Sequence, residues 1–148
     1  MIDLFEFGRN YIFWTSAAAW IIAQCIKVAL GIFREKRFNF RWFVGTGGMP
    51  SSHAAWVSAL ATSIGVTYGF DSSIFAVTLV FTLIVLFDAQ GVRLSTGRQA
   101  EILNKMLDDM YWQKRLDEEK LKEFIGHTRI EVFAGAALGI FVSLLFYK

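Results

Sequence analysis

Proline and cysteine each occur once in this chain of 148 residues, and histidine twice. The lone Cys25 excludes an intrachain disulfide and leaves the redox compartment open. No internal repeat, low-complexity tract or domain-sized linker divides the chain, so residues 1–148 read as one domain. No basic stretch precedes the first apolar run, only "MIDLFEFGRN" with Asp3, Glu6 and Arg9, and that run carries Lys27 near its end. Both features argue against a cleaved signal peptide. Charged residues make up only 19% of the chain and the net charge is +2, too little to indicate a nucleic-acid partner.

Apolar residues are abundant instead. Hydrophobic side chains make up 55% of the chain and aromatic ones 16%, more than an ordinary soluble domain of this size can cover with polar surface. Four uncharged stretches stand out, at residues 10–26, 54–70, 72–87 and 132–147, each 16 or 17 residues long. A spanning helix typically needs about 20 residues, so each stretch nearly crosses the hydrocarbon if flanking residues reach for the interface. The expected fold is all-α, a polytopic membrane bundle with about four transmembrane helices. A soluble bundle of four buried helices is disfavoured because helices apolar all round need more covering than this chain has.

The basic residues set an expected orientation. Thirteen of the fifteen Lys and Arg lie between Lys27 and Arg129: Lys27 itself, four in "REKRFNFRW" between runs one and two, and eight in residues 93–129 between runs three and four. The connection at Asp71 has none. By the positive-inside rule the basic loops are cytoplasmic, with both termini and Asp71 on the other side. Residues 98–126, "RQAEILNKMLDDMYWQKRLDEEKLKEFIG", are rich in helix formers, with Ala100, Leu103, Met106, Leu107, Met110 and Tyr111 at helical spacing. A cytoplasmic amphipathic segment is expected there, lying on the membrane, covering a site or packed on its own protein.

Ionisable residues at the ends of spans are costly and therefore functional candidates. Lys27 and Arg34 fall at the cytoplasmic end of helix one on roughly the same face, and His53 at the start of helix two. Asp88 and Arg93 fall at the exit of helix three, and His127 and Glu131 at the entry of helix four. Two imidazoles, fixed cations and a carboxylate four residues from one histidine suit a phosphate-like anion. Cations neutralise its oxygens, one imidazole attacks phosphorus and the other protonates the leaving oxygen. In "GGMPSSHAA", Gly47 and Gly48 permit close backbone approach, Ser51 or Ser52 caps the following helix, and the helix start forms an anion site beside His53. His127 and Glu131 are expected as neighbours on one helix face, the carboxylate fixing the proton on one ring nitrogen.

"GGMPSSHAA", with "DAQGVR" and "GHTRIEV" downstream, resembles the divergent branch of the type 2 phosphatidic acid phosphatase family, related to acid phosphatases and vanadium-dependent haloperoxidases, over nearly the whole chain. The broader family's first motif corresponds to Lys27 and Arg34, with Glu35 where the family has Pro. Its second corresponds to Pro50, Ser51, Ser52 and His53, with Ser in place of Gly. Its third survives as His127 and Glu131, the latter in place of Asp, and the Arg of that motif aligns with Leu121. The resemblance implies that His127 is the nucleophile, Glu131 its orienting carboxylate and His53 the acid. It further implies that Lys27 and Arg34 clamp oxygens, with Ser52 adding a hydroxyl. The missing Arg would come from Arg93, Arg98 or Arg129, of which Arg93 is favoured. Asp88, outside the three motifs, either holds Arg93 or marks a divalent metal site.

The expectation is a multi-pass membrane phosphatase facing the cytoplasm. It would hydrolyse a phosphate monoester or diphosphate, on a lipid such as phosphatidylglycerophosphate, phosphatidate or an isoprenyl diphosphate, through a phosphohistidine. No cofactor is expected beyond that possible divalent metal, and no nucleic acid. Because the broader family uses about six helices, a homodimer completing the bundle is a hypothesis, and the small residues of "AGAALG" could serve it. The alternatives are a silent lipid or phosphate binder and, third, a small transporter subunit.

Overall fold

The computed structural model describes residues 7–36, 48–111 and 127–147; the side chains at 34, 35, 91–101, 104, 105 and 107–111 lie outside that description. Four helices, with no strand among the described residues, form the bundle: α1 Tyr11–Glu35, α2 Ser52–Tyr68, α3 Ser73–Tyr111 and α4 Arg129–Phe146. Each apolar run of the sequence became a helix.

Local chemistry sets the boundaries. The Asn10 side chain accepts the Phe13 amide at 3.1 Å to start α1, and the helix stops where Lys36 turns left-handed, its N–H donating to the Ile32 carbonyl at 2.9 Å. Ser51 starts α2 by accepting the Ala54 amide at 3.3 Å, and Gly69, at φ 92°, ends it. Only a residue without a Cβ takes that backbone angle at low cost. The Ser72 hydroxyl donates to the Gly69 carbonyl and accepts the Phe75 amide, closing the short turn into α3.

α3 differs from the expectation. It does not end near Asp88 but continues unbroken for 39 residues to Tyr111, absorbing the first half of the expected amphipathic segment. No proline interrupts it, and residues 98–111 are mostly strong helix formers, so propensity carries the helix past the end of the apolar run. Leu103 and Met106 of the expected apolar face are exposed, as is Ile102. The rest of that face lies outside the described side chains, and residues 112–126 lie outside the described residues altogether.

α2 is the centre. It packs against α1, α3 and α4, whereas α1 and α3 flank it without extensive contact with each other. α2 and α4 run parallel and close, because α4 presents glycine where α2 presents backbone. A Cβ at Gly139 would overlap the Ala55 carbonyl and stand 2.9 Å from the Ala59 amide nitrogen. Small residues allowing backbones to approach is the usual solution for helices packed in lipid, where hydrophobic burial contributes little between helices. The "AGAALG" glycines therefore serve contact within the chain. The Ser63 and Ser143 hydroxyls bond across this interface at 2.7 Å, and the Thr82 hydroxyl donates to the Val57 carbonyl at 3.2 Å.

The outer faces of α1, α3 and α4 expose Phe33, Val77, Val80, Ile84, Phe133 and Phe141, while buried Ser and Thr line the interior. That inversion belongs to a protein whose solvent is hydrocarbon. Tyr11–Phe33, Ser73–Gln90 and Arg129–Phe146 are long and apolar enough to cross a membrane. α2, at 17 residues about 26 Å long, is shorter and the most enclosed, so the molecule is an all-α membrane bundle.

Candidate functional site

The site is built where α2 and α4 begin. Gly48, at φ 87°, lies against Lys27 of α1; a Cβ there would stand 3.4 Å from the lysine Cγ and 3.6 Å from its Cδ. Lys27 is only 8% exposed, so its side chain is held inside the bundle beside the loop and is not a surface anchor. The Met49–Pro50 peptide is cis. Pro50, Ser51 and Ser52 are buried, and Ser51, not Ser52, is the cap. His53 sits in the first turn of α2 with its side chain exposed. A helix start concentrates partial positive charge and suits an anion.

α4 supplies the second half. Thr128 and Glu131 form a capping box: the Thr128 hydroxyl accepts the Glu131 amide at 3.3 Å and the Glu131 carboxylate accepts the Thr128 amide at 2.9 Å. The same carboxylate oxygen, Oε2, lies 3.3 Å from Nδ1 of His127. His127 is 2% exposed. With Nδ1–H donating to the carboxylate, Nε2 carries the lone pair. The expected pairing is present, but on a different scaffold. α4 begins at Arg129, so His127 precedes the cap and the two residues do not share a helix face. The carboxylate reaches back over the helix start instead, as the capping box dictates.

A hydrogen bond ties the halves together: the Ser51 amide donates to the Glu131 carbonyl at 2.9 Å. Just beyond it, Gly135 removes the side chain that would collide with Ser51 and Ala54. Lys27, Gly48, Ser51, Ser52, Glu131 and His127 thus belong to one end of the bundle. Ala89 of α3 packs there too, in a buried cluster with Ala54 and Val132, which brings Asp88 to the same level, exposed. The side chains of Arg34, Arg93 and Arg98 lie outside the described residues. Among the described residues no group of three His, Cys, Asp or Glu could hold a metal.

Sequence reading missed two features. Thr128 was readable, since T-x-x-E is the capping-box pattern, and it accounts for Glu in place of Asp as the helix closes its own first turn with it. The other is a cleft of about 810 Å³ between α1 and α3 over α2, with His53 in its wall. No local signal encodes it, because three helices make it jointly.

Residues 8–142 match the Divergent PAP2 family. A protein of Bacillus subtilis (strain 168) described as "Uncharacterized membrane protein YuiD" is 41% identical over 151 residues, covering 95% of this chain and 96% of that protein. No solved structure matches.

Proposed function

As the chain belongs to the Divergent PAP2 family, we propose that it is a membrane-embedded phosphatase hydrolysing a phosphate monoester or diphosphate of a lipid. The observation that supports this most is the buried imidazole of His127 tied through Nδ1 to Glu131, in a bundle end that also holds Lys27 and the start of α2.

Nε2 of His127 attacks phosphorus and a P–N bond forms as the P–O bond to the leaving group breaks. His53, protonated, gives its proton to the leaving oxygen. Water then attacks the phosphohistidine, His53 takes its proton, the P–N bond breaks and inorganic phosphate departs. Lys27, Arg34 and Arg93 offset charge on the non-bridging oxygens, and Ser52 and the α2 start contribute donors. No step of this route calls on a cofactor, and a divalent metal at Asp88 is the alternative that the chelator arm below tests. The site faces the cytoplasm, with both termini and Asp71 opposite, because the basic residues cluster between Lys27 and Arg129, in the far part of α3 and in the segments that join α1 to α2 and α3 to α4.

A silent phosphate-binding protein is the second reading, favoured by Leu121 at the position of the third motif's Arg. Purified protein incubated with phosphatidylglycerophosphate, phosphatidate and isoprenyl diphosphates, with and without chelator, separates the two. Phosphate release lost in His127→Ala and His53→Ala supports hydrolysis, whereas stoichiometric binding without release establishes the second reading. Chelator-sensitive release would bring in Asp88.

A further inference from the structure

The cleft has a direction. α2 contributes His53, Trp56, Val57, Leu60, Ile64 and Tyr68 to its wall, a stripe recurring every three or four residues from the first turn of the helix to the last. The stripe covers about 22 Å at 1.5 Å per residue, well beyond the roughly 15 Å of one hydrocarbon leaflet. α1 and α3 form the flanks, with Phe81 and Val85 on the α3 side. Among the described residues, the ionisable groups of the wall lie at its ends, His53 at one and Arg9, Tyr11 and Tyr68 beside Asn10 at the other; between them the hydroxyl of Ser16 bonds back to the Ile12 carbonyl at 2.7 Å. The Trp20 ring, 5.6 Å from that of Trp56, backs one wall.

We propose that this cleft holds one aliphatic chain of a lipid phosphate, extended along α2 with its head group at His53. The inference rests on the phosphatase reading for the head group alone. The cleft is continuous with a candidate catalytic residue, apolar along its middle and within the size range of ligand pockets. A carbon–carbon bond of about 1.5 Å advances an extended chain by about 1.25 Å, so about 18 carbons fill the stripe. The preferred substrate is therefore a lipid with a chain of at least that length, read in single file.

The test measures binding of octadecyl phosphate and octyl phosphate to the full chain by native mass spectrometry. Wild type is compared with Leu60→Trp and Phe81→Trp, which obstruct the cleft from α2 and α3, and with Ile84→Trp, which adds the same bulk on the outer face of α3. One octadecyl phosphate should bind wild type and Ile84→Trp, and bind each obstructed variant at least 10-fold more weakly, while octyl phosphate binds all four within about twofold. Equal octadecyl affinity in all four overturns the proposal, as does a dimer that Leu60→Trp dissociates, since the occupant would then be a second copy. Turnover is scored separately. Bound octadecyl phosphate that is never hydrolysed removes the activity and leaves the cleft assignment, whereas hydrolysis of both esters untouched by Leu60→Trp does the reverse.

Discussion

A Cβ at Gly135 would overlap the carbonyl oxygen of Ser51 and stand 3.0 Å from the Ala54 Cβ. The packing of α4 on α2 and the position of the second motif are therefore one fact. Gly135→Ala should push the helices apart where Ser51 bonds Glu131, at a cost of about 1–3 kcal/mol for overpacking a close contact. Thermal unfolding in detergent should show a lowered Tm, with phosphate release lowered further than the stability loss accounts for. A Tm equal to wild type would mean that the helices do not approach this closely.

His127→Ala should lower kcat by about 10²-fold or more, as loss of the nucleophile requires, and His53→Ala by a comparable amount through loss of the acid. The two differ in a second readout. Quench into alkaline detergent, in which the acid-labile P–N bond survives, after reaction with a lipid radiolabelled in its phosphate should leave label on the wild-type protein and none on His127→Ala. Label persisting in that variant would remove His127 from the assigned role.

Thr128→Ala removes the hydroxyl that caps α4 and should cost about 1 kcal/mol, while Thr128→Ser should retain most of the stability. Because the capping box also positions Glu131, Thr128→Ala should lower kcat and Thr128→Ser should restore it. Equal kcat in both would show that the cap is structural only.

Ser63 and Ser143 form a hydroxyl pair deep in the α2–α4 contact. A double-mutant cycle to Ala should yield a coupling of about 0.6 kcal/mol, the average for such bonds in membrane bundles, with the double variant more stable than the sum of the single losses implies. Strict additivity in urea or thermal unfolding would show that the bond contributes nothing.

Much of this was legible because membrane helices are written locally. The four apolar runs became four helices, and the cap of α2 was legible as Ser51 or Ser52, the structure selecting Ser51. Glu131 at four residues from His127 was sufficient for their pairing, although the scaffold turned out to be a helix start and not a helix face. The end of α3 was not legible, since hydropathy falls at Asp88 while helix propensity does not. Nor was the cleft, or the approach of Lys27 to Gly48, because both are set by which helices meet and not by any one of them.

The Oε2 atom of Glu131 answers to two donors, the Thr128 amide and the His127 ring. A side chain one methylene shorter would have to choose between them, so the orientation of the imidazole is welded to the integrity of the first turn of α4. The ring is aimed by the act of folding, before any anion arrives, and a substitution that frays that turn disarms it without touching the histidine at all.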